Sequence, residues 1–253
     1  MANVMYQINY EPTMMISLVK GNSKLGKGVY AFNLLPGDEP LSTKDKGQLT
    51  NVSGTCQGCC DGCKGLCYAI SDARRYHNTC IPSLAKNTLI VRNNLDGTFE
   101  QLRTQLIKKK AKVLRYHSSG EIISYDYLLR MVKLARELPN VKFYFYTKRF
   151  AFVDKYMDKF GKFPNNLVPN ISEWNGNTDG YNLKGLNRFV YDDGSDPRLV
   201  NVFHCPAVNK YGRKTGVTCD ACGRCFRGND GHITAVYDHS GKKKQNKVVK
   251  KVV

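Results

Sequence analysis

Residues 113–147, VLRYHSSGEIISYDYLLRMVKLARELPNVKFYFYT, read as strand, loop, capped helix and second strand in succession. Val113 to Tyr116 is a short strand-like run, and Val141 to Thr147 is rich in β-branched and aromatic residues. Between them Leu128, Met131, Val132 and Ala135 recur on one helical face. Ser124 stands where a side-chain oxygen can cap that helix, and Pro139 ends it because proline cannot continue the hydrogen-bond ladder. This succession predicts two parallel strands joined by a crossover helix.

The same alternation extends outward. Phe99, Leu102 and Leu106 predict a helix leading into the first strand, and Phe152, Val153, Tyr156, Met157 and Phe160 predict one following the second. Further strands are predicted at Leu167–Ser172 and Leu199–Phe203, and a long loop over Asn170–Gly194. Tyr68 to Asn78 lacks Gly and Pro and predicts a short helix, while Met1 to Thr55 reads as short strands and loops. The expected fold class is therefore α/β, an open or incomplete (β/α) barrel whose chemistry sits at the C-terminal ends of its strands. Two segments fall at such ends: His117 to Glu121, and Thr147 to Arg149.

The chain of 253 residues fits one α/β domain over residues 1–240, followed by a basic tail at 241–253 that predicts disorder. No apolar run approaches the ~20 residues that cross a bilayer, so no membrane partner is expected. The start, MANVMYQINYEPTMMISLVKG, has no secretory pattern, which makes a reducing cytoplasm the expected compartment. The net charge is +18, to which six lysines after Asp238 contribute. A second basic stretch runs from Arg103 through Lys108, Lys109, Lys110 and Lys112 to Arg115. DNA or RNA is the partner such a surplus favours, through counterion release, against the plainer reading of a solvated surface. Nothing in the sequence determines the oligomeric state.

Ten cysteines in a reducing compartment point to metal rather than to disulfides. In the C-terminal module (205–225), Cys205 is followed by Cys219, Cys222 and Cys225, the last three in consecutive C-x-x-C steps. Four thiolates suit tetrahedral zinc or a four-iron four-sulfur (4Fe-4S) cluster. In the N-terminal loop (56–67), within TCQGCCDGCKGLCYA, Cys59, Cys63 and Cys67 are evenly spaced, with Cys56 and Cys60 as further thiols. Three ligands on an iron–sulfur cluster leave an open iron, whereas a zinc knuckle is closed.

Cys63-x-x-x-Cys67 resembles the first step of the radical S-adenosylmethionine signature, although its last position is Ile70. Ser119-Gly120-Glu121 is similar to the segment that contacts S-adenosylmethionine in that fold. That resemblance implies Ser119, Gly120, Glu121 and Thr147 as cofactor contacts, and His117, Glu121 and Lys148 as candidate catalytic residues. His117 serves equally as an internal hydrogen-bond partner, and Lys148 as an ordinary surface charge.

Cys63-x-x-x-Cys67-Tyr68-Ala69, Arg115-x-His117-x-Ser119-Gly120-Glu121-x-x-Ser124, Tyr144-x-Tyr146-Thr147-Lys148, Cys205-Pro206 and the terminal triple cysteine together resemble the bacteriophage gene-product-eighty-eight family. The resemblance covers about Cys56 to His239 and implies a fold similar to the radical S-adenosylmethionine barrel, but no reaction. Two functions follow as expectations. One is an iron–sulfur enzyme acting on nucleic acid or a small metabolite; the other is a non-catalytic zinc protein that binds nucleic acid or a host partner. For a phage protein the compartment is the host cytoplasm.

Overall fold

A computed structural model describes residues 4–174, 177–211 and 213–237, so the basic tail lies outside the described residues. In chain order, β1 (Leu18–Lys20) and β2 (Val29–Phe32) are followed by a hairpin of β3 (Pro40–Thr43) and β4 (Gly47–Ser53). Four helices come next: α1 (Asp61–Gly65), α2 (Tyr68–Arg75), α3 (His77–Asn93) and α4 (Leu95–Lys108). Then β5 (Val113–Tyr116), α5 (Tyr125–Glu137), β6 (Lys142–Thr147), α6 (Phe150–Phe160) and β7 (Leu167–Glu173) alternate. The chain continues through β8 (Asn187–Tyr191), α7 (Cys219–Cys222), α8 (Arg224–Arg227) and β9 (Ile233–Val236).

Seven strands form one sheet in the order β1-β2-β5-β6-β7-β8-β9, and all pairings from β2 to β9 are parallel. β1 adds an antiparallel edge. Among the described residues β1 and β9 do not pair, so the sheet stays open and no barrel closes. The crossovers through α5 and α6 follow the expected pattern: Ser124 accepts from the Tyr127 amide at the start of α5, and Leu138 ends it just before Pro139. Beyond β7 the pattern changes. A strand, β8, lies inside the segment read as a loop over Asn170–Gly194, and the strand expected at Leu199–Phe203 is instead a 3-10 turn at Pro197–Leu199 and coil. The last strand among the described residues is β9, and beyond that 3-10 turn only the short helices α7 and α8 lie in the connection from β8 to it.

Side chains that alternate along the parallel strands divide between two layers. Tyr30, Phe32, Leu114, Tyr116, Phe143, Phe145, Leu167 and Ile171 pack with α4, α5 and α6 in the main core. Val29, Ala31, Val113, Tyr144 and Val168 face the other way, where Cys219, Cys225 and Phe226 of the C-terminal module cover them. A module of short helices thus takes the place that a closed barrel would fill with its own interior.

Glycine permits two of the close approaches that hold these parts together. Gly120 has φ +88°, and a Cβ there would stand 2.7 Å from the Leu34 Cβ and 2.8 Å from the Thr55 Oγ1. At Gly28 a Cβ would stand 2.7 Å from the Asp220 carboxylate oxygens, so a larger residue there requires the Asp220 side chain to turn away.

Candidate functional site

The C-terminal ends of the parallel strands surround a cavity of about 200 Å³. Eight of the ten cysteines line it: Cys56, Cys59, Cys63 and Cys67 from the N-terminal loop, and Cys205, Cys219, Cys222 and Cys225 from the C-terminal module. All seven cysteines expected to hold metal are therefore brought to one place, and Cys56 joins them. Cys60 and Cys80 are not among the lining residues, and Cys80 packs beside a separate core under the β3–β4 hairpin. Ile70, at the last position of the S-adenosylmethionine signature, packs into that same core.

The N-terminal loop is held over the cavity by contacts to strand ends. Arg149 Nη1 donates to the Gln57 carbonyl at 2.8 Å, and the Tyr68 hydroxyl donates to the Ser118 carbonyl at 2.5 Å. Gly62 lies against the Trp174 indole, where a Cβ would be 3.2 Å from the ring. The C-terminal module is anchored by its own backbone: the Cys219 and Asp220 amides donate to the Lys24 and Leu25 carbonyls, and Cys205 donates to Ala235. Asn170 Nδ2 donates to the Cys225 carbonyl at 3.0 Å.

All ten thiols are free. Burial pushes the Cys59 thiol up to about 11, reinforced by Cys63 beside it. Burial likewise pushes Cys225 up to about 12, with Cys205 and Cys219 adding to the rise. Cys205 is raised by burial and by Cys219 and Cys222. The members of each set thus sense one another. Among the described residues no three His, Cys, Asp or Glu side chains form a closed metal-holding group. The donor set fits a soft metal or an iron–sulfur cluster by its chemistry, because thiolates are what both take.

The other predicted residues divide sharply. Glu121 is buried, and its carboxylate accepts from the Ile122 amide, the Thr147 hydroxyl and the Lys148 amide at 2.8 to 2.9 Å. Burial raises its pKa, and these hydrogen bonds oppose the rise. Ser119 donates to the Leu34 carbonyl, the Ser118 amide to Asn33, and the Glu121 amide to Thr55. Ser119, Glu121 and Thr147 therefore clip β5, β6 and the approach to the cysteine loop together. Ser119, Gly120 and Glu121 line the cavity, whereas Thr147 does not, its hydroxyl being engaged by Glu121 and the Arg149 amide.

His117 and Lys148 differ from them. His117 has φ +57°, uncommon for a residue with a Cβ, and its Nε2 lies 3.0 Å from the Tyr127 hydroxyl while Nδ1 has no partner. Burial and the Arg115 charge hold its pKa down to about 3, so the ring is neutral near pH 7. Lys148 Nζ donates to Ser172 at 2.9 Å and lies 5.6 Å from the Trp174 ring centre. Burial lowers its pKa, but Cys63 and Glu121 lift it above the ordinary lysine value. It is not a surface charge.

Sequence reasoning missed the aromatic wall and the buried arginine. Tyr146, Trp174, Phe189 and Tyr191 line the cavity, with Trp174 and Tyr191 stacked 4.4 Å apart. Arg115, assigned to a basic surface stretch, is only 8% exposed. The missed signal was a cation in phase with Tyr144 and Tyr146 on a strand otherwise apolar.

The sequence profile of the gene product 88 family matches residues 16–228, from just before β1 to the end of the C-terminal module. The chain belongs to the gene product 88 family. The match starts 40 residues before the resemblance seen in the motifs and stops short of β9. Both cysteine sets lie inside the gene product 88 region. No curated protein and no solved structure gives a significant match.

Proposed function

We propose that this gene product 88 protein is an iron–sulfur protein with two thiolate centres facing one cavity at the active end of an α/β sheet. The observation that supports it is the convergence of eight free cysteines from segments far apart in sequence on the ends of the parallel strands. In parallel α/β folds, ligands and chemistry occupy those ends. The first centre would draw on Cys59, Cys63 and Cys67 with Cys56 as a fourth thiol; the second on Cys205, Cys219, Cys222 and Cys225. Bound there, such clusters supply electron transfer. This chain's own residues orient the loops through Glu121 and Thr147, supply cations from Lys24, Arg115 and Lys148, and provide stacking faces from Trp174 and Tyr191.

Two zinc clips would fit the same donors, which makes the metal itself the test. Protein purified without oxygen should carry about four to eight irons per chain with matching sulfide and visible absorbance. Stoichiometric zinc without colour would replace this reading by a zinc protein, and metal-free protein after reconstitution would sink both. A spectral change on adding S-adenosylmethionine would support the radical-enzyme reading.

The second reading, contact with DNA or RNA, rests on a different surface. Lys108, Lys109, Lys110, Lys112 and Lys142 are exposed at the N-terminal ends of β5 and β6, opposite the cavity. A polyanion held there would not be presented to the thiols.

A further inference from the structure

Among the described residues, a buried cation reaches the cavity with no carboxylate beside it. Arg115 stands in the middle of β5, opposite Ala31 on β2 and Tyr144 on β6, on the face that the C-terminal cysteine module covers. Its guanidinium lies 4.8 Å from the Tyr146 ring centre and 6.0 Å from that of Tyr144, and its Nε has no hydrogen-bond partner. Among the described residues no carboxylate pairs with it. The groups that act on it are Tyr68, Tyr144, Tyr146 and Cys219. Burial holds the Tyr144 and Tyr146 phenols well above their ordinary values, so at neutral pH they are dipoles and not counter-ions.

An arginine cannot shed its proton, so a buried one needs an anion, and ring faces compensate only part of its desolvation. Cys219 is the neighbour that metal binding would make anionic, since thiols bind as thiolates. Four thiolates around a divalent metal ion, or a cluster of the same charge, leave a net charge of about −2. The packing completes the arrangement: Cys219 and Cys225 lie against the same layer as Tyr144 and Tyr146, and the Tyr144 hydroxyl is buried there without a hydrogen-bond partner. Hydrogen bonds and charges at the sulfurs are the levers by which a protein stabilises and tunes such a centre.

We propose that Arg115 is the built-in counter-cation of a thiolate centre on Cys205, Cys219, Cys222 and Cys225, held at that face by the Tyr144 and Tyr146 rings. This rests on the reading of the C-terminal module as a metal centre. It assigns the arginine a role that depends on the centre's charge, whichever metal is held.

The test compares wild type, Arg115→Met and Arg115→Lys, each metal-loaded and each after chelation. Loaded Arg115→Met should lose the C-terminal metal to chelator at least tenfold faster than wild type, while Arg115→Lys stays within about threefold. In chelated protein the sign should reverse: Arg115→Met should melt at or above the wild-type temperature, because a buried unpaired cation has been removed. If Arg115→Met fails to fold, Arg115→Gln makes the same comparison with a polar head. Equal metal retention in wild type and the uncharged variant, or a lower melting temperature of that variant in both forms, overturns the proposal and leaves the metal centre standing. Wild-type protein that holds no metal at all overturns both.

Discussion

At the scale of single residues, the loop after β5 shows how one short motif divides between structure and reactivity. Glu121 looks like a cofactor ligand in the sequence, yet three donors engage its carboxylate. His117, three residues after Leu114 of the core, keeps an unpartnered nitrogen and a left-handed backbone. Residues held in such conformations concentrate at functional sites. Its low pKa makes a pH prediction. The unfolded imidazole takes its proton near 6.5, the folded one near 3, so between these values the unfolded state binds more protons and stability falls as pH falls. From pH 7 to pH 4 this group should cost about 3 kcal/mol of stability. Asparagine accepts the same backbone conformation, so His117→Asn should flatten the acid limb of urea-midpoint curves. Parallel curves for variant and wild type would show that His117 titrates normally.

Among elements, the decisive contact is between the loop after β1 and α7. Asp220 accepts from the Gly28 amide at 3.2 Å and sits where any side chain at Gly28 would reach. Gly28→Ala should therefore turn the Asp220 carboxylate off the Gly28 amide and loosen α7, at about 1 kcal/mol. Limited proteolysis should then cut within 205–228 while the α5–β6 region stays protected. Adding Asp220→Ala removes the clashing oxygens, and the double variant should recover much of the loss. Full additivity of the two changes would show that the contact does not matter. The central elements were legible because each carries a complete local signal: Ser124 and Pro139 bound α5, and the β-branched and aromatic run in 141–147 marks β6. β8 and β9 were not, since NRFVY and ITAV are short and lie among turn residues. Pairing with β7 and with each other supplies what their sequences lack.

For the whole molecule, the parallel sheet separates two chemistries, with thiols at the C-terminal strand ends and exposed lysines at the other. Replacing Lys108, Lys109 and Lys112 by serine should lower DNA affinity and reduce the salt slope by about 2–3. Metal content should not change, because these lysines lie across the sheet from the cysteines. An unchanged slope would remove that surface as the nucleic-acid site. The sequence by itself determined the α/β class, the central strand–helix–strand unit and the grouping of cysteines into two sets. Those signals are local, written in periodicity, caps and spacing. Tertiary structure alone decided that the two sets share one cavity, that Glu121 serves as a clip, and that Arg115 is buried among aromatic rings. These depend on strand order and on the face each side chain takes in the sheet, and segments more than a hundred residues apart meet only when the strands pair.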